Sequence, residues 1–176
     1  MKTSVIFHDC DLDGWTSAAI VKKWFEDEEW KNERLSREPG FAGIPINGLE
    51  LIGYNYGQPI PDLLEYDQII MCDISFPKEV MEALFDKFGS NLIWIDHHVS
   101  AIKENGTLDG CIDVSTKING LRRTDFAACE LTWQYFFSNK IDKFGISEEQ
   151  NPMPEVIRLL GLYDSFRHKG GDEERK

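Results

Sequence analysis

Ser4-Val-Ile-Phe-His-Asp-Cys-Asp-Leu-Asp-Gly14 joins a short apolar run to three carboxylates at alternate positions and a glycine. Val5, Ile6 and Phe7 read as a strand buried on both faces, because a continuous apolar run leaves no side for water. Asp9, Asp11 and Asp13 crowd three negative charges together, which costs free energy until a cation offsets it. Gly14 closes the loop, and Trp15-Thr-Ser-Ala-Ala-Ile-Val-Lys-Lys-Trp-Phe25 follows as an amphipathic helix. A solvated acidic turn is the plainer reading of an acidic triplet taken alone. In the order strand, acidic loop, helix, the carboxylates sit at the carboxyl end of a strand, where open α/β sheets bind ligands. That order favours a metal site.

The same grammar recurs twice. Gln68-Ile-Ile-Met-Cys-Asp73 is a near-continuous apolar run ending in an aspartate, and Asn91-Leu-Ile-Trp-Ile-Asp-His-His98 is another, ending in an acid and two histidines. A lone histidine is more often a packing or surface residue. Two of them behind an aspartate at a strand tip fit a ligand set, since imidazole binds metals and needs an orienting partner for its second nitrogen. Leu49-Glu-Leu-Ile-Gly-Tyr54 reads as a further strand, followed by a loop over residues 55–61.

Pro77 suits the first turn of a helix that runs to Phe88 and stops at Gly89. Residues 26–38 read as a solvated helix extension, 39–48 as a surface loop and 111–114 as a short strand. Thr124 is expected to cap a helix over 125–137. A polar loop over 138–154 leads to a last helix, 155–168, which carries Asp164. Residues 169–176 are charged and lack an apolar face, as in a linker or frayed end.

The chain has 176 residues, of which 41% are hydrophobic and 12% aromatic, enough to build one domain with a proper core. No apolar run approaches the roughly 20 residues of a membrane span, and no signal peptide is evident, so the expected location is the cytoplasm. Cys10, Cys72, Cys111 and Cys129 form no Cys-x-x-Cys pair and are expected as free thiols. A net charge of −12 disfavours gripping long duplex nucleic acid through its phosphates. It leaves a short phosphorylated substrate open, because the field at a metal site is local.

Asp-Cys-Asp-Leu-Asp-Gly (9–14), Cys-Asp (72–73), Asp-His-His (96–98) and Gly-Leu-Tyr-Asp (161–164), in that order, resemble the four motifs of the DHH phosphoesterase superfamily. Each motif is weak alone; the ordered set is specific. Tyr54-Asn-Tyr-Gly and the Ala127-Ala-Cys-Glu-Leu-Thr-Trp133 helix look most like the oligoribonuclease and cyclic-nucleotide phosphodiesterase branch.

The resemblance implies a doubly wound α/β domain over residues 1–168, with a mainly parallel sheet of about five strands flanked by helices. It implies two divalent ions, manganese first and magnesium as the alternative. Asp9, Asp11 and Asp73 would hold one, and Asp13, Asp73, His97 and Asp164 the other, with Asp73 bridging. Some branches use a histidine where Phe7 stands; Asp9 is expected to substitute for it, ahead of His8. Asp73 and His98 would be catalytic, His98 orienting the phosphate or protonating the leaving oxygen, and His98, Arg167 and His168 would contact substrate.

The implied reaction is hydrolysis of phosphodiester bonds in short oligonucleotides or cyclic nucleotides by a metal-activated water. A manganese-dependent pyrophosphatase and a non-catalytic DHH binding module are the rivals. A homodimer is left open. Family members usually continue through a linker into a smaller glycine-rich substrate domain, which is expected to be missing beyond residue 168.

Overall fold

A computed structural model describes residues 1–36, 48–105, 117–138 and 152–167. Its centre is a parallel sheet of β1 (Thr3–His8), β2 (Leu49–Tyr54), β3 (Gln68–Cys72) and β4 (Leu92–Ile95), in the order β2-β1-β3-β4. The helices are α1 (Leu12–Ser36), α2 (Lys78–Phe88), α3 (Val99–Glu104), α4 (Ala128–Trp133) and α5 (Glu155–Asp164). The expected doubly wound α/β architecture is the one observed, with four strands among the described residues where about five were expected. Next to β4, where a fifth strand would lie, the described residues around Asn119 and Arg122 make isolated parallel bridges to Ile93 and Asp96. The expected strand at 111–114, the loop at 39–48 apart from Gly48, most of the loop at 138–154, His168 and the tail at 169–176 lie outside the described residues.

Period-two alternation on the strands builds two cores at once. In register, Ile6, Met71 and Trp94 point to one face, where Met81, Leu84 and Phe88 of α2 and Ala101 of α3 cover them. Val5 with Ile70 and Ile93, and Phe7 with Cys72 and Ile95, point to the other, against Ala18, Val21 and Phe25 of α1 and Leu131 of α4. This explains the unbroken apolar runs, because neither face of β1, β3 or β4 meets water. A third cluster of Ile20, Ala127, Cys129, Trp133 and Ile157 joins α1, α4 and α5.

Element boundaries depart from expectation where tertiary contacts intervene. Pro77 precedes the first turn of α2 with ψ 150° instead of lying inside it. The helix expected from Thr124 begins only at Ala128 and continues after Trp133 as a π-helical turn, Gln134–Ser138. The last helix stops at Asp164, where Phe166 turns into the left-handed region at φ 56°. The short α3 has no counterpart in the sequence reading. Among the described residues, no helix is long and apolar enough to cross a membrane.

Candidate metal centre

β1 and β3 are adjacent, and the chain leaves them for opposite sides of the sheet, so their carboxyl ends flank a topological switch point. Asp11 sits just past β1 and caps α1: its Oδ1 accepts the Gly14 N–H at 2.9 Å, while Oδ2 lies 2.8 Å from His8 Nδ1. Gly14 is required here, since a Cβ would overlap the His8 carbonyl. Asp73 follows β3 with φ 61°, its N–H donating to the Ile95 carbonyl at 2.9 Å. A left-handed aspartate costs about 1 kcal/mol or more, strain of the kind that gathers at functional sites.

The Asp73 side chain is 1% exposed, and among the described residues neither of its oxygens has a hydrogen-bond partner. Around it stand His8 Nδ1 at 3.6 Å, His97 Nε2 at 3.3 Å and His98 Nδ1 at 3.6 Å, none in hydrogen-bond geometry. His97 Nε2 also lies 3.6 Å from Asp13 Oδ2 and 3.5 Å from Asp164 Oδ2, so three carboxylates converge on one nitrogen. Asp13 is anchored from a distant part of the chain. Its two oxygens accept the N–H groups of Ala128 and Cys129 at 2.8 and 2.7 Å, which is why α4 begins there and not at Thr124.

Asp96 is fully buried and spends its oxygens within its own motif. Oδ1 accepts the backbone N–H groups of His97 and His98 and lies 2.8 Å from His98 Nδ1; Oδ2 accepts the Trp94 indole N–H at 3.2 Å. That bond turns the imidazole so that Nε2 is its free end.

The charges respond to one another. Asp73 first, with Asp11 adding, holds His8 protonated up to about 9. Burial pulls His97 down, but Asp73, Asp13 and Asp164 outweigh it and raise it to about 9. Burial and the neighbouring Asp73 push Asp13 up to about 7, and burial raises Asp164 as well. Burial opposes ionisation of Asp73, yet His8, His97 and His98 together keep it below the usual carboxylate range. Asp96 raises His98.

Among the described residues, three overlapping groups could hold metal: His8, Asp11 and Asp73; Asp13, His97 and Asp164; and Asp73, His97 and His98. Hard oxygens with imidazole suit a divalent ion of the manganese or magnesium kind. A buried carboxylate with two oxygens that have no hydrogen-bond partner among the described residues, and His8 Nδ1, buried in the same condition, fit such an ion.

Of the residues expected from sequence, Asp11, Asp13, Asp73, His97, His98 and Asp164 come together. Asp9 joins none of these groups; its side chain packs against Gly53 of β2, and His8 takes the place beside Asp11. Alternation explains the exchange, because His8 and Asp9 are consecutive and point to opposite sides of the chain. Arg167 pairs with Glu130 and donates from Nε to Ser165 Oγ at 2.6 Å, an engagement that sequence could not reveal. Asp96 was legible only as the first letter of its motif.

The DHH family, N-terminal domain, matches residues 3–161. Its members are divalent-metal-dependent phosphoesterases. Comparison with curated proteins and with solved structures returns no match.

Proposed function

We propose, from the premise that the chain belongs to the DHH family, that it hydrolyses phosphodiester bonds in short oligonucleotides or cyclic nucleotides with two divalent ions, manganese in preference to magnesium. The observation that carries this reading is Asp73, a strained, buried carboxylate with both oxygens unpartnered, shared between two of the potential ligand groups. His8, Asp11 and Asp73 would hold one ion; Asp13, His97 and Asp164, with Asp73 as bridge, would hold the other. When bound, such ions lower the pKa of water and offset charge on phosphoryl oxygens.

The chain's own residues supply the rest. Asp96 accepts from His98 Nδ1 and leaves Nε2 to orient a phosphate or deliver a proton to the leaving oxygen. Because Asp96 favours the charged imidazole, it raises His98 above its ordinary value and strengthens the hold on that proton. Tyr56, half exposed, sets its ring 5.9 Å from that of His8, and Trp15 is exposed with its indole N–H anchored on the Asp9 carbonyl. Rings beside a phosphate site favour a substrate that carries bases, since base stacking tolerates sequence and rewards a short single strand. A pyrophosphatase would need cations for a second phosphoryl group. Arg167, the nearest one named from sequence, is spent on Glu130.

The test is hydrolysis by the purified chain with manganese, magnesium or EDTA. The substrates are a chromogenic diester, two- to five-nucleotide RNAs, a cyclic dinucleotide and pyrophosphate. Manganese-dependent release of mononucleotides is expected. Turnover of pyrophosphate alone would favour the rival enzyme, and nucleotide binding without turnover would favour a binding module.

A further inference from the structure

Glu130 is a buried acid, 3% exposed, that the proposed reaction does not use. A buried ion pair is poor evidence of stabilisation, because desolvating the charges offsets much of their attraction. Its partners suggest a different purpose. The Glu130 carboxylate accepts the Ala127 N–H at 3.0 Å and pairs with Arg167. Gly161, one turn before Asp164 on α5, lies directly on the same carboxylate, and a Cβ there would overlap it.

Beyond Asp164 the chain doubles back. The Ser165 N–H and hydroxyl both donate to the Gly161 carbonyl, at 3.1 and 2.5 Å. Phe166 adopts its left-handed conformation, unfavourable for a residue with a Cβ, and so returns Arg167 to Glu130. Asp164 is therefore bracketed, by Gly161 before it and Arg167 after it, on one carboxylate. The same turn of chain, through the N–H groups of Ala128 and Cys129, holds Asp13. His97 Nε2 stands between Asp13 and Asp164, 3.6 and 3.5 Å away.

We infer that Glu130 is a positioning residue: through Gly161 and Arg167 it sets Asp164 at the distance from Asp13 and His97 that a divalent ion requires. This rests on the metal reading given above. Supporting residues of this kind typically change metal affinity 10–100-fold when removed.

Calorimetric titration with manganese tests the inference in Glu130→Gln, which keeps the volume and an acceptor for Ala127. The variant is expected to lose at least about tenfold in affinity for one ion. In an Asp164→Asn background the same change is expected to have no further effect, since Glu130 acts through Asp164. A loss that merely reflected a loosened fold would persist in that background and overturn the inference, as would unchanged manganese binding in Glu130→Gln itself. Should Glu130→Gln fail to fold, Arg167→Met carries the same comparison.

The metal-free protein supplies an independent reading through the His97 ring-nitrogen chemical shift. Asp164→Asn should move it, and Glu130→Gln should move it the same way. A wild-type chain that binds no manganese would sink the metal reading and leave this shift to decide the positioning role. An unmoved shift in Glu130→Gln overturns it.

Discussion

Asp13→Ala is expected to destabilise the protein even with no metal present. The Asp13 carboxylate accepts two buried N–H groups, from Ala128 at 2.8 Å and Cys129 at 2.7 Å, in the first turn of α4. Truncation strands both donors, at about 1–3 kcal/mol each. Against this, burial and the nearby Asp73 already make the ionised carboxylate costly, as its rise to about 7 records, so removal also relieves repulsion. We expect the hydrogen bonds to win by about 2–4 kcal/mol, because an orphaned donor has no other partner in a dry site. For a chain of this size that is roughly a 10 °C drop in melting temperature.

Asp11→Ala is the control: it loses a part-buried N-cap bond to Gly14 and its pairing with His8, neither of which strands a fully buried donor, and should cost only about 1–2 kcal/mol. Thermal and urea unfolding in EDTA at pH 8, followed by circular dichroism, makes the comparison. An Asp13→Ala protein that melts with wild type in EDTA and differs only when manganese is added would refute the reasoning. It would reduce Asp13 to a ligand and nothing more.

Manganese should raise the melting temperature of the wild type, by about 2.7 kcal/mol of stability at a hundredfold excess over Kd; coincident melts with EDTA and with saturating manganese would contradict a preformed acidic site. Asp73→Ala should impair manganese binding more than any other single change, because Asp73 alone would serve both ions of the proposed pair while His97 serves one, and retention of two ions by this variant in a titration would remove the bridge. In EDTA, stability should fall as pH rises from 7 to 9. His8 and His97, held up to about 9, contribute fully below their ordinary 6.5 and lose that contribution as pH passes their folded values, so melting midpoints across this range should decline. Over the same window manganese affinity should increase, since an imidazole must give up its proton to ligate, and calorimetry in buffers of different ionisation enthalpy should detect proton release. Gly14→Ala should cost about 1–3 kcal/mol by driving the start of α1 off the His8 carbonyl, measurable by urea unfolding in EDTA.

Much of this molecule was written locally. Val5–Phe7, Gln68–Cys72 and Leu92–Ile95 are strands buried on both faces because their residues alternate between two helix-covered cores, and an unbroken apolar run is the one-dimensional trace of that arrangement. Acids or histidines directly after three such runs must gather at one end of a parallel sheet, so Asp11, Asp73 and His97 could be placed together without coordinates.

Tertiary structure decided what depends on partners far away in the chain. The start of α4 moved from Thr124 to Ala128 because the acceptor for its first N–H groups is Asp13, more than a hundred residues earlier. α5 ended at Asp164 because Arg167 reaches Glu130, a pairing between two helices that no periodicity encodes. The choice between Asp9 and His8 rested on which of two consecutive side chains the twist of β1 turns inward, with Gly53 of β2 leaving room for Asp9 outside the cluster. Local pattern determined which segments are strands and which ends carry charge. Only the packed chain determined which charges face one another, because that depends on distances across the fold.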